Sequence, residues 1–360
     1  MTDYIVAGID MKELYPKPFP DNIPTIELQT VSLAKLLSKD DEEADRIFKI
    51  LKDPGFFQLD LTDHPQGVEL LRDVVECHGL AKKLFTTLPL EQKLQYKTRK
   101  TIGIFDRGYF NKDPYPNGAP RWHELFNFPL AEMFGIDTGE EFNLPTWLQE
   151  HEVLLKRTMT NGTGIAMVIL QGIEKGLHLP EGTITAAHQL KDPSGDFLRL
   201  LRYPSYDPAK IDTHLTFPPH KDAISLDILF NFLGGLQIAG PDATWLGHEA
   251  VTEDSWRWVK PVPGHAIINI GDALELLTNK ALTSGLHRVV RTPGEQSAAD
   301  RYSIVLGLRP RNDIPMVPFQ SPLIPKMTEE QEDAPVLTSS EWGDMKIKKL
   351  VQYATTKVSV

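Results

Sequence analysis

The chain has 360 residues, 41% hydrophobic and 24% charged, enough for one large domain or two. Its net charge of −11 argues against a nucleic-acid binder, whose footprint would be basic, and suits small-molecule partners. Cys77 is the sole cysteine, so an intramolecular disulfide is impossible and a reducing, cytoplasmic setting is the simplest expectation.

The N-terminal MTDYIVAGIDMKELYPKPFP has neither a basic leader nor a long apolar stretch, and no segment approaches the ~18 apolar residues of a membrane span. This Pro-rich start reads as an extended arm. IPTIEL (23–28) reads as a short strand, and residues 41–53 repeat apolar side chains at helical spacing. GFFQLDL (55–61) returns to strand-like alternation, and 66–98 is helical in pattern, ending in a lysine run. Residues 99–128 read as an aromatic-rich loop, a candidate substrate lid with Phe105, Tyr109 and Trp122 as its contacts. The spacing predicts one long helix over 144–180, interrupted near Gly162. Beyond about residue 196, short β-branched runs alternate with Gly/Pro turns, the texture of a β-barrel or sandwich. The tail, 327–360, reads as helix. The expectation is a mainly β core with flanking helices. Residues 1–145 form an N-terminal region, 146–195 a supporting helix, 196–315 the core and 316–360 a helical tail.

Residues 218–226, PPHKDAISL, put two ionisable side chains at the mouth of an apolar run. As a strand, the stretch places His220, Asp222, Ile224, Leu226 and Ile228 on one face, and Lys221, Ala223, Ser225, Asp227 and Leu229 on the other. The first face is the more apolar, so His220 and Asp222 point inward, ~6.6 Å apart along the strand. An inward carboxylate is costly unless neutralised, and a divalent cation would do so. A third ligand is needed. Asp212 and His214, after the turn signal SYDPAK, form a competing pair that reads more simply as solvated loop. His265 and His287 lie in later strands. His287 is the better candidate, because it opens an apolar run and is followed by Arg301, with Ser303 on the same strand face. A guanidinium with a hydroxyl two residues on is a carboxylate receptor.

Two His and one carboxylate with open positions is the ligand set of non-haem Fe(II) oxygenases. HKD at 220–222, His287 in LHRVV and the Arg-x-Ser of 301–303 resemble the 2-oxoglutarate/Fe(II)-dependent dioxygenases, in the isopenicillin-N-synthase-like branch. LLRYP (200–204), LFNFLGGLQI (229–238) and PVPGHAIINIGDALELLTN (261–279) are similar to further segments of that family, so the likeness spans most of 22–312. The style of the second and third segments resembles fungal specialised-metabolism members. Two positions depart: Leu201 stands where many plant members carry Asn, and His265 where a small residue is usual. The resemblance implies a double-stranded β-helix (jelly roll), with Fe(II) on His220, Asp222 and His287. It implies 2-oxoglutarate on Arg301 and Ser303, with Tyr203 adding a hydrogen bond. O2 is the co-substrate and ascorbate a supporting reductant. Decarboxylation of 2-oxoglutarate would drive hydroxylation, desaturation, cyclisation or ring rearrangement of a small organic metabolite.

Three other readings stand beside this one. The first is an oxidase like isopenicillin N synthase, in which Arg301 and Ser303 hold the substrate's own carboxylate. The second is a non-catalytic β-barrel binding protein with a vestigial site. The third is a zinc hydrolase, for which no general base stands out. The chain is expected to be a monomer or homodimer with a small-molecule substrate and no nucleic-acid or membrane partner.

Overall fold

The computed structural model describes residues 4–96, 107–111, 123–139, 142–207, 215–240 and 251–356. The arm carries a small hairpin, β1 (Ile5–Val6) with β2 (Ile9–Asp10), and then come β3 (Thr25–Ile26), β4 (Thr30–Ser32) and α1 (Leu33–Leu37). Helix α2 (Asp41–Lys52) starts where Asp40 accepts a hydrogen bond from the Glu43 amide at 2.8 Å, an N-cap that ends the preceding turn. Strand β5 (Phe56–Asp60), α3 (Pro65–Thr87) and α4 (Leu90–Leu94) follow, then β6 (Gly108–Asn111), β7 (Glu124–Pro129) and α5 (Leu130–Met133). Helix α6 (Glu152–Gly176) precedes the strands β8 (Phe197–Tyr203), β9 (Leu215–His220), β10 (Leu226–Asn231), β11 (Leu236–Ala239), β12 (Trp256–Val259) and β13 (His265–Ile270). The chain continues through α7 (Asp272–Leu277), β14 (His287–Val290), β15 (Arg301–Leu308), α8 (Glu329–Glu332) and α9 (Ser339–Thr356).

Apart from the β1–β2 hairpin, the strands among the described residues form two facing sheets. The larger runs β4-β5-β13-β10-β15-β8-β7-β6 and the smaller β3-β12-β11-β14-β9. Most neighbours are antiparallel; β4 with β5 and β3 with β12 are parallel. This is the expected β core with flanking helices, a jelly roll. The N-terminal region feeds β4, β5, β6 and β7 into the larger sheet and β3 into the smaller one.

Alternation sets the two faces of the larger sheet. Leu198, Leu200, Ile228, Phe230, Ile268, Ile304 and Leu306 face outward, in one core with Leu70, Val74, Leu155, Ile165 and Ile169 of α3 and α6. The inner face meets the smaller sheet through Phe56, Ile267, Leu236, Ile238 and Val259.

Three expectations need correction. Helix α6 runs unbroken through Gly162, where an added Cβ would lie 2.7 Å from the Leu306 side chain. The glycine there permits close helix–sheet packing and does not mark a break. The aromatic stretch read as a loop contains β6 and β7, which pair with register Tyr109 opposite Phe126. Residues 220–229 are not one strand either: β9 ends at His220, and a bend carries the chain to β10 in the other sheet. Strand β9 itself, LTFPPH, contains Pro218 and Pro219, which an edge strand tolerates because its outer N–H groups need no partner. No helix among the described residues is long and apolar enough to cross a membrane.

Candidate active site

The cavity between the sheets is lined by Phe56, Leu125, Leu201, Leu229, Leu236 and Val289, with polar groups at both ends. At one end His220, Asp222 and His287 each offer a donor atom, all within 4.8 Å of one another. The last residue of β9, His220, is the cross-strand partner of the first residue of β14, His287. Their ring centroids stand 4.2 Å apart. Asp222 lies in the bend between the sheets, its Oδ1 3.5 Å from His220 Nε2 and its Oδ2 3.3 Å from His287 Nε2.

Each imidazole is oriented from behind. His220 Nδ1 is 2.8 Å from the Pro218 carbonyl and His287 Nδ1 is 3.1 Å from that of Gly285. An Nδ1–H donated to a carbonyl leaves the Nε2 lone pair pointing into the cavity, the arrangement of a metal-binding His. Phe56 meets the His287 ring edge-on at 5.6 Å. Asn269 of β13 donates to Asp222 Oδ2 at 3.0 Å, and the Asp272 amide at the start of α7 donates to the Asp222 carbonyl at 2.7 Å. Burial pushes the Asp222 carboxyl up, but the His287 and His220 rings and the Asn269 bond outweigh it and hold it well below the usual range. Burial lowers His287 from its ordinary value against the opposing pull of Asp222. A carboxylate between two imidazoles whose Nε2 atoms face the cavity fits a divalent cation.

At the other end stand Arg301, Ser303 and Tyr203. Arg301 is 3% and Ser303 2% exposed, yet Arg301 Nε and Ser303 Oγ have no hydrogen-bond partner. Buried donors without acceptors are costly, so their pairing in the cavity wall fits a carboxylate that arrives with a ligand. Tyr203, opposite Arg301 in the β8–β15 register, puts its ring 4.7 Å under the guanidinium. Burial raises the Tyr203 hydroxyl above its ordinary value, with Arg301 opposing. The structure therefore brings together the six residues expected from His220 to Ser303 and Tyr203.

Asp222 reaches this site by another route than expected. Because the bend breaks the alternation, Leu226 and Ile228 face the helices, while Asp227 and Leu229 line the cavity. Lys221 points away and pairs with Glu275 at 3.1 Å. Leu201 lines the cavity beside Ser303, its cross-strand partner. His265, at the start of β13, sits by Pro263 and outside the cavity wall.

Among the expected substrate contacts, Phe105 and Trp122 lie outside the described residues, as do Asp212 and His214. Tyr109 does not line the cavity. Pairing with Phe126 turns it to the helix side, where its hydroxyl donates to Glu124 at 2.7 Å beside Lys93 and Arg202. Among the wall residues that escaped the sequence reading are His123, Arg199, Phe217, Asp227 and Asn269. Arg199 shares the alternating face of Leu201 and Tyr203, and Asn269 and Asp227 interrupt apolar strands, so each left a trace in the pattern.

Comparison with known proteins agrees with this geometry. The model of the 2OG-Fe(II) oxygenase superfamily matches residues 195–310. That of the non-haem dioxygenase in morphine synthesis N-terminal matches 23–143. A 2-oxoglutarate-dependent dioxygenase of Aspergillus fumigatus is 50% identical over 348 residues, 94% of this chain and 90% of that protein. A full-length Neurospora crassa protein crystallised in complex with alpha-KG superposes with a TM-score of 0.73 at 19% identity, over 89% of this chain and 95% of that one. A 2OG-Fe(II) oxygenase family protein from Caulobacter crescentus does so at 0.68 and 24%, over 91% and 100%. At such identities the two structures speak for the fold. The family itself rests on the Aspergillus relative and on the superfamily match across the strands that carry His220, His287 and Arg301. The chain belongs to the 2OG-Fe(II) oxygenase superfamily, oxidoreductases that use Fe(II), 2-oxoglutarate and O2.

Proposed function

We propose that His220, Asp222 and His287 hold Fe(II), that Arg301 and Ser303 bind the far carboxylate of 2-oxoglutarate, and that a small organic substrate is oxidised in the cavity between them. Iron bound there would supply the centre at which 2-oxoglutarate and O2 react and from which substrate is oxidised. The protein's own residues do the rest. Asp222 contributes the one anionic ligand, held by Asn269 from the side and the Asp272 amide from behind. The Pro218 and Gly285 carbonyls fix the ring orientation of the two histidines. Arg301 offers a buried guanidinium stacked on Tyr203, so the co-substrate carboxylate meets a receptor already desolvated and oriented. Phe56, Leu125, Leu229, Leu236 and Val289 keep the walls apolar and exclude water.

The observation that carries this reading is the pair of buried, unpartnered donors, Arg301 Nε and Ser303 Oγ, across the cavity from the His-Asp-His cluster. The 2-oxoglutarate-dependent Aspergillus fumigatus relative supports 2-oxoglutarate as their ligand, and not the substrate's own carboxylate as in an isopenicillin-N-synthase-like oxidase. The proposal extends to a cytoplasmic monomer or homodimer without nucleic-acid or membrane partners; the net charge of −11 supports only the absence of a nucleic-acid partner, and the buried free Cys77 only a reducing compartment. Purified chain supplied with Fe(II), O2 and 2-oxoglutarate should release succinate. Its release should stop when iron is chelated. Failure of the iron-loaded chain to bind or turn over 2-oxoglutarate would sink the reading.

A further inference from the structure

Gly234 and Gly235 lie in the turn by which the chain leaves β10 in the larger sheet for β11 in the smaller. Gly235 has φ +134°, a conformation that residues with a side chain rarely adopt. Its carbonyl accepts the Val290 amide at 2.8 Å, which ties the turn to the end of β14. A Cβ on Gly235 would stand 3.0 Å from Arg301 Nε, 3.2 Å from Arg301 Cδ and 3.0 Å from the Val290 carbonyl oxygen. The bare main chain of Gly235 therefore lies against the stem of the guanidinium, while the Tyr203 ring lies 4.7 Å from its face. The turn is itself held from behind. The Gly234 amide donates to Gln296 Oε1 at 2.8 Å, and Gln296 Nε2 donates to the Lys17 carbonyl at 3.2 Å. Gln296 is 2% exposed and stands in the short 3-10 turn Gly294–Ala298 that leads into β15. A Cβ on Gly234 would meet Pro293 Cδ at 2.8 Å and the Phe19 ring at 2.9 Å. One buried amide thus joins the N-terminal arm, the glycine turn and the segment that delivers Arg301.

An arginine side chain is rich in rotamers, and fixing one of them on binding costs affinity. A fork already fixed when the carboxylate arrives avoids that cost. Resting on the function proposed above, we propose that Gly235 and Gln296 are positioning residues for co-substrate recognition. The arm-backed turn holds the Arg301 fork in the orientation that grips the far carboxylate of 2-oxoglutarate. Neither residue lines the cavity, so both act through Arg301. Gly235 does so by steric fit, because any side chain there would press on Arg301 Nε or shift the turn. Gln296 does so by anchoring the turn, with Lys17, 279 positions earlier in the chain, as its far support. The N-terminal arm thereby becomes part of the co-substrate receptor.

The test compares 2-oxoglutarate with 2-oxobutanoate, which keeps the 2-keto acid and lacks the far carboxylate. The full chain, loaded with Fe(II), is titrated anaerobically with each and read by the visible absorption of the metal–keto-acid chelate. Gly235→Ala should weaken 2-oxoglutarate about tenfold, the loss of one charge-assisted hydrogen bond, and leave 2-oxobutanoate within about twofold of wild type. Gln296→Met keeps the shape, loses both hydrogen bonds and should weaken 2-oxoglutarate alone by about threefold. It decides if Gly235→Ala does not fold. In an Arg301→Ala background, Gln296→Met should change the affinity for 2-oxoglutarate no further, since the residue through which it acts is gone. A general loosening of the barrel would weaken both keto acids and would persist without Arg301, and that result overturns the proposal. Wild-type affinity for 2-oxoglutarate in the folded variants overturns it as well. In either case a native chain that forms the band with 2-oxoglutarate leaves the oxygenase reading intact and removes the positioning role alone.

Discussion

His220 and His287 face each other across the β9–β14 ladder as the last and first residues of their strands, with ring centroids 4.2 Å apart. Neither depends on a loop for its position. Asp222 does, because it stands in the bend where the chain leaves the smaller sheet for the larger. The two histidines therefore form a rigid half-site that the carboxylate completes. Asp222→Ala should abolish stoichiometric iron binding, measured by metal analysis after anaerobic loading and desalting, while leaving the thermal transition close to that of wild-type apoprotein. Lys221→Ala removes only the partly exposed pair with Glu275 and should retain full iron content, with a stability loss of about 1 kcal/mol or less.

Asn269 is the clearest outer support of the site, donating to Asp222 Oδ2 at 3.0 Å from a strand of the larger sheet. Outer partners of metal ligands typically contribute roughly 10–100-fold in affinity. Asn269→Ala should raise the dissociation constant for Fe(II) or Zn(II) by that factor without abolishing binding. An affinity equal to wild type in competition with a chelator of known strength would remove Asn269 from the account.

Arg301 is a buried fork above the Tyr203 ring, a geometry that a lysine ammonium cannot reproduce. Arg301→Ala should weaken 2-oxoglutarate binding on the order of 100-fold, the scale of losing charge-assisted bonds in a dry site. Arg301→Lys should recover only part of this. Ser303→Ala removes a single neutral donor and should cost about tenfold or less. Isothermal titration of the Zn(II)-loaded proteins with 2-oxoglutarate gives all three numbers under one condition.

Two histidines away from the site set an acid limit on stability. His78, wedged against the rings of Phe232 and Tyr302, and His188, bonded to Ile184 and Ser225, are both lowered by burial from 6.5 to about 4. Folded values below the unfolded one mean that the unfolded chain takes up protons first as pH falls. The stabilising contribution is complete above about pH 6.5 and is lost as pH drops towards 4. It amounts to on the order of 2–3 kcal/mol for each histidine. Between pH 7 and pH 5, urea unfolding of His78→Phe should lose about 2 kcal/mol less than wild type, whose net change also carries the opposite effect of Asp196, raised by burial to about 7. An unchanged pH dependence in His78→Phe would contradict the assignment.

Much of the site is legible in the sequence, though not for one uniform reason. Arg301 and Ser303 follow from plain strand alternation and Tyr203 from the family resemblance, and β8 and β15, regular and paired in register, bring the three together. His220 and Asp222, which the structure places in one cluster, are picked out on a mistaken premise. A straight strand through 220–229 would put them on the face of Leu226 and Ile228, but the bend after His220 reverses the sides. That reversal is why Asp227 reads as an outward residue when it lines the cavity. No local signal in AISLDILF announces the change of sheet, since it is set by the β9–β14 and β10–β15 pairings far apart in the chain. Tyr109 fails for a related reason. Its partner strand β7 is an unbroken buried run, ELFNFP, so alternation of polarity could not show which side faces the helices.

The central claim is that one cavity holds iron at His220, Asp222 and His287 and the far carboxylate of 2-oxoglutarate at Arg301 and Ser303. Anaerobic titration of the Fe(II)-loaded chain with 2-oxoglutarate, followed by the visible absorption of the metal–keto-acid chelate, tests both halves at once. The account predicts a band that saturates near one equivalent in the native chain, needs roughly 100-fold more 2-oxoglutarate in Arg301→Ala, and does not form in Asp222→Ala. A native chain without the band, or an Asp222→Ala chain that forms it normally, would contradict the account.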